Sequence, residues 1–258
     1  MLKYLIIFFA LITPGAGASE LPTCSRPFTL AYHDHGILYS PVTDSGIDKE
    51  VAEEMIKRSG CDVRVSFMPR SRIWLYIESG ELDFSMSGIS NESRDKFAGF
   101  AWYLYNKYYL IVRKDAKVNS LSEFKKNPKL EIGTIRSFRY SKNANQLVDQ
   151  LSAENRNVEV LNHTQLLNML KLNRIQGMII EPFNHSQVDN QEIDDISILL
   201  DIGDAPVLHG LIMSKKSLPE TEQMKWRGII EGMHKDGTLL RIMSKYFSPT
   251  LAKELVTF

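Results

Sequence analysis

The eight residues Ser87-Gly88-Ile89-Ser90-Asn91-Glu92-Ser93-Arg94 set one arginine behind a run of small and hydroxyl-bearing side chains. A small anion taken out of water needs a fixed cation and several converging hydrogen-bond donors. Arg94 offers a planar, permanently charged fork that matches a carboxylate. Gly88 lets backbone N–H groups come close, and Ser87 and Ser90 add hydroxyls. A helix beginning near Asn91 would bring its exposed amides to the same place. The plainer alternative is a solvated Arg94 paired with Glu92 or Asp95.

Three other places carry polar groups at positions where α/β proteins bind ligands. Glu181 follows the apolar Gly177–Ile180, which puts it at the carboxyl end of a strand, where open sheets hold ligands; a solvated loop carboxylate is the alternative. Arg136, Ser137 and Phe138 follow Ile132–Ile135 and precede a helical pattern, so they could supply a cation, donors and a stacking face. His33 and His35 share a strand face after Phe28–Tyr32. Two imidazoles without a clear third ligand favour a polar cleft wall over a metal site, so no metal and no cofactor are expected. No nucleophile elbow, zinc-protease helix, phosphate loop or dinucleotide-binding glycine pattern occurs, and a binding protein is expected rather than an enzyme.

These residues need a scaffold of alternating strands and helices, and the sequence supplies one. Strand patterns at 28–33, 63–67 and 82–88 alternate with helical patterns at 47–60 and 71–80. A second series follows, with strands at 130–135, 158–161 and 177–181 and helices at 121–127, 140–155 and 163–175. The fold class is therefore α/β with mostly parallel sheets, and the two similar series suggest two lobes. The aromatic, uncharged stretch 97–105 runs directly into another strand pattern and reads as an extended crossing between lobes. Residues 206–214 read as the return crossing. Two crossings imply a hinge and a cleft.

Residues 1–18 have the form of a cleaved secretory signal: Lys3, the apolar run Tyr4–Ile12, and Ala16-Gly17-Ala18. The chain holds 31 basic and 31 acidic residues, and loss of Lys3 with the leader leaves a net charge of −1. That balance argues against nucleic-acid or anionic-membrane partners. No later segment has the run of about 20 apolar residues that a membrane span needs. In an exported chain Cys24 and Cys61 are candidates for a disulfide. Each lies just before a strand pattern, so a bridge is reachable if those strands neighbour each other in a parallel sheet; otherwise the two stay separate thiols.

Taken together, the motifs resemble those of the family 3 periplasmic solute-binding proteins, the amino-acid-binding components of ABC importers. The marks are Ser45-Gly46-Ile47-Asp48, the Arg72-to-Asp83 stretch, Ser87–Arg94, Ile132–Phe138, Gly177–Pro182 and the closing His234–Phe247 with its Asp236-Gly237 step. The resemblance implies a two-lobed, type II binding fold, with lobe 1 at 22–105 and 209–258 and lobe 2 at 106–208. It implies a periplasmic monomer that captures a small polar carboxylate, foremost an amino acid, for an ABC permease. Arg94 would take the α-carboxylate, and Glu181, where relatives carry aspartate, the α-amino group. His33 stands where many amino-acid binders carry an acid, and Arg70, Arg72 and Trp74 begin a helix that in the family often faces the cleft. A sensor or adaptor of the same fold, and a dehydratase acting on a cyclic carboxylate, are the rival readings.

Overall fold

The computed structural model describes residues 20–181 and 191–258. The expected leader and Pro182 of the Gly177–Pro182 mark lie outside the described residues. The apolar β1 (Phe28–Tyr32) is buried on both faces because it sits inside a sheet, between β2 (Val63–Phe67) and β3 (Phe84–Gly88), parallel to both. Helix α1 (Ile47–Ser59) turns Ile47, Val51 and Met55 inward and ends at Gly60, whose left-handed φ of 67° suits a residue without Cβ. Helix α2 (Arg70–Ser79) buries Ile73, Trp74 and Ile77.

Two five-stranded sheets result. The first has the order β2-β1-β3-β10-β4, with β4 at Ala98–Asn106 and β10 at Val207–Ser214. The second has the order β7-β6-β8-β5-β9, built from β5 (Tyr109–Arg113), β6 (Ile132–Ile135), β7 (Asn157–Val160), β8 (Gly177–Ile180) and β9 (Ser197–Asp201). Each sheet has three parallel strands plus two strands antiparallel to their neighbours, so the sheets are mixed rather than mostly parallel. The reason is the crossings: β5 and β10, which enter a sheet from the other one, start at the carboxyl ends of its parallel strands and run back against them. The 97–105 crossing is divided, β4 ending in the first sheet and β5 starting in the second after Lys107 and Tyr108.

Helices α3 (Leu121–Lys126), α4 (Lys142–Ala153) and α5 (His163–Lys171) cover the second sheet, around Leu110, Ile132, Leu147 and Ile179. The C-terminal helices Glu220–Lys235, Thr238–Met243 and Pro249–Leu255 return to the first sheet. There Trp226, fully buried, packs 5.4 Å from the Phe28 ring and 4.7 Å from that of Phe84. The strand β9 and the Pro249–Leu255 helix are elements that the sequence patterns did not mark. No helix among the described residues is long and apolar enough to cross a membrane.

Because β1 and β2 run parallel with Phe28 opposite Val63, the residues just before them lie side by side. Cys24 and Cys61 are disulfide-bonded, with Cα atoms 5.2 Å apart and a sequence separation of 37. Closing a loop of that length removes denatured-state entropy, and the Cys24→Ser/Cys61→Ser double variant is expected to lose about 3 to 4 kcal/mol of stability. Urea unfolding under non-reducing conditions measures this, and an unchanged midpoint would show that the bridge adds nothing.

Candidate ligand-binding site

The carboxyl ends of β1, β3, β6 and β8 meet where the two sheets face one another, and a buried polar cluster fills the seam. The first sheet brings His33 and His35 from the end of β1, with rings 4.9 Å apart. The second brings Glu181 from the end of β8 and Phe138 from the turn after β6. His35 Nε2 lies 3.3 Å from Glu181 Oε1, and both side chains are buried. Phe138 meets the His35 ring edge-on at 5.2 Å. Tyr108, between the crossing strands, hydrogen-bonds the Glu181 carboxylate and lies 3.4 Å from Nε2 of His209 on β10.

Two guanidiniums form the other half of the cluster. Arg70, the first residue of α2, donates to Met86 O at 3.0 Å and Ser87 O at 2.9 Å, and its Nη1 lies 3.4 Å from His33 Nδ1. Arg94 donates to Ile89 O and, across the seam, to Ser137 O, each at 3.1 Å. Its guanidinium carbon lies 3.9 Å from the Trp74 ring centre, and that of Arg70 lies 5.0 Å from it. Arg94 and Arg70 are only 5% and 3% exposed, yet neither forms an ion pair with a carboxylate among the described residues. Burial, with Arg70 and Arg139 adding to it, pushes Arg94 down to about 8, and burial pushes Arg70 down to about 10. These are cations short of counter-charge.

The cluster also holds buried polar atoms without a hydrogen-bond partner: Arg70 Nε, Trp74 Nε1, His33 Nε2, His35 Nδ1, His163 Nε2 and His209 Nδ1. Native interiors leave few such atoms, and a concentration of them in one place is the mark of a site. An open groove of about 470 Å³ runs beside the cluster between the 34–46 loop and α5, where Thr164 Oγ1 donates to Asp34 at 3.0 Å. It adjoins the cluster through His163. Among the described residues no three His, Cys, Asp or Glu side chains are grouped to hold a metal ion.

Residues 27–249 match the bacterial extracellular solute-binding proteins, family 3. The chain belongs to this family. No curated protein matches it. Among solved structures it is similar to an ancestral arginine-binding protein bound to arginine, at 18% identity and a TM-score of 0.72, over 88% of this chain and 100% of that one. It is likewise similar to the arginine-, lysine-, histidine-binding protein ArtJ from Geobacillus stearothermophilus, at 15% identity and a TM-score of 0.70, over 86% and 95% of the two chains. A third, at 16% identity and a TM-score of 0.68 over 86% and 95%, is an ancestral amino-acid-binding protein described as a precursor of cyclohexadienyl dehydratase. At these identities the likeness establishes the solute-binding fold.

Of the residues expected to bind in this family 3 chain, Arg94, Trp74, His33, Phe138 and Glu181 converge on the seam. The side-chain positions of five others face elsewhere. The Ser87 hydroxyl faces the first core and donates to both Asp48 oxygens at 2.8 Å, while its N–H donates to Tyr103 at 2.7 Å. A Cβ on Gly88 would meet Ile212 at 2.3 Å, so that glycine makes room for packing. Ser90 is exposed and bonds Asp95. Arg136 is 57% exposed and faces Glu159 at 3.7 Å, and Arg72 is exposed on the outer side of α2. The helix expected near Asn91 is a single 3-10 turn, Arg94–Lys96. Sequence reasoning missed Tyr108, His163 and His209. Their signals were there: a histidine inside the apolar return strand, one opening a helix after β7, and a tyrosine at the break between crossing strands.

Burial and neighbouring cations hold His33 well below its usual value, His163 down to about 4 and His209 down to about 3. The unfolded chain therefore binds more protons than the folded one below the ordinary imidazole range, and stability falls as pH falls through it. Glu181, which burial alone would raise, is held far below the carboxylate range by His35, His209 and His163, so its contribution is also lost in acid. Asp48, raised by burial to about 6, opposes the trend as one group against several. The melting temperature is expected to drop from about pH 7.5 to about pH 5, with His163 alone costing on the order of 1 to 2 kcal/mol. Thermal melts across that range test this, and His163→Gln should flatten the dependence; a flat wild-type profile would contradict it.

Proposed function

We propose that this chain is an extracytoplasmic binding protein that takes a small polar carboxylate, an amino acid or a close chemical relative, into the seam and delivers it to an ABC importer. The two buried guanidiniums without carboxylate partners carry this reading, because an anion is what such a pair lacks. In it, Arg94 and Arg70 hold the carboxylate against Trp74, while Phe138, His33 and Glu181 shape the far wall. Lobe 1 at 22–105 and 209–258 and lobe 2 at 106–208 close about the two crossings, so that a ligand touching both favours the closed form. The chain would be exported by a cleaved leader at 1–18 and act in the periplasm as a monomer.

An enzymatic reading is less well supported, although one neighbour is described as a dehydratase precursor. General acid–base catalysis needs groups that titrate near the working pH. Glu181 lies far below the carboxylate range, and His163 and His209 at about 4 and 3, so these groups are poor proton carriers at neutral pH. Calorimetry with a panel of amino acids and small organic acids, including cyclic ones, tests the proposal. Arg94→Ala is expected to weaken the binding of whichever acid binds by roughly a hundredfold, and exposed Arg136→Ala to leave it unchanged. Equal affinity in the Arg94 variant would sink the reading, and turnover of a cyclic acid would favour the enzyme.

A further inference from the structure

A carboxylate that is to receive a ligand's ammonium group has to present an oxygen to the ligand. Glu181 presents its oxygens to its own chain. His35 Nε2 reaches Oε1 at 3.3 Å, and the Tyr108 hydroxyl hydrogen-bonds the same carboxylate. An ionised carboxylate only accepts, so Nε2 of His35 must carry the proton and donate it. The imidazole comes from the first sheet and the carboxylate from the second, so the contact spans the seam. The other buried acid of the region, Asp48, is bonded by Ser87 and, at 2.6 Å, by Tyr103 within the first lobe. Among the described residues, both of these buried carboxylates accept from donors of the chain itself.

The opposite need is open. Arg70 and Arg94 have carbonyl oxygens but no carboxylate partner among the described residues, and the unpartnered Arg70 Nε and Trp74 Nε1 can only donate. Ligand oxygens satisfy these groups, and an ammonium does not. We propose that the seam selects a small organic acid that carries no ammonium group, with His35 standing in the place a zwitterion's amine would take. The proposal rests on the reading of the chain as a carboxylate-binding protein and names the class of carboxylate. An amino acid entering this site would bury its ammonium against imidazoles and guanidiniums unless it displaced His35 from Glu181.

The test is calorimetry on the mature, disulfide-bonded protein with matched pairs: glutamate against glutarate and 2-oxoglutarate, aspartate against succinate, and leucine against its 2-oxo acid. The expected result is that in at least one pair the acid without the amine binds about tenfold more tightly or better. His35→Ala, which releases Glu181, should narrow or reverse that preference; a thermal melt confirms that the variant folds, and the wild-type comparison stands without it. Tighter binding of the amino acid in every pair that binds, with affinity still lost in Arg94→Ala, overturns the proposal and leaves the carboxylate-binding reading intact. Failure of every acid to bind overturns both.

Discussion

Charge taken out of water has to be answered by other charge or by hydrogen bonds, and the seam between the two sheets is organised by that demand. Glu181 is 3% exposed and burial there favours its protonated form, but its interaction with His35, which also hydrogen-bonds it, keeps it ionised. His33, His163 and His209 stay neutral because burial makes a positive charge costly, with Arg70 and Arg94 adding to that cost at His33 and Arg70 at His209. The result is uneven. The negative side is satisfied from within the chain, and the positive side has only backbone oxygens. That asymmetry, more than the presence of any one arginine, gives the site its chemical preference.

The crossings do more than join two bodies. His209 sits on β10, at the point where its pairing with β4 shifts register before Gly210, and Tyr108 occupies the break between β4 and β5. Tyr108 therefore reaches Glu181 by a hydrogen bond, and His209 stands behind it against the Tyr108 hydroxyl. Any rotation of one lobe on the other has to move the groups that hold its charge, so lobe position and site electrostatics are physically tied. The same movement would part His35 from Glu181 and Arg94 from Ser137 O, both of which span the seam.

The fold was legible because its signals are local. Periodicity marked α1 and the parallel strands within a residue or two, the doubled series marked two sheets, and the paired strand starts made the Cys24–Cys61 bridge conditional on one neighbour relation that the structure meets. Position along a strand also put Glu181 and His33 at strand ends, which the structure brings to the seam. What stayed hidden was direction and partnership. Ser87 and Arg94 belong to one motif, yet Ser87 turns into the first core and Arg94 into the seam. Arg136 and Phe138 lie two residues apart and face opposite ways, one to solvent and one to His35. Such choices depend on backbone turns and on residues distant in sequence, and no spacing rule encodes them. His163 and His209 contribute through tertiary position alone.

Two serines, Ser87 and Ser137, show how the backbone serves the cations. Ser87 and Ser137 both have positive φ, 54° and 61°, in a region where residues with a Cβ are uncommon and cost on the order of 1 kcal/mol. Each uses the turned peptide in the same way: the Ser87 carbonyl accepts from Arg70 and the Ser137 carbonyl from Arg94. The Ser87 turn is held from behind, because Asp48 takes its hydroxyl and Tyr103 its N–H. The Ser45–Asp48 motif at the start of α1 thus reaches the seam without touching it, through Ser87 to Arg70. A carbonyl orients a guanidinium but does not neutralise it. The chain therefore strains its backbone to aim two cations while leaving their charge to be answered by something else, which is the arrangement expected of a site shaped for an anion that comes and goes.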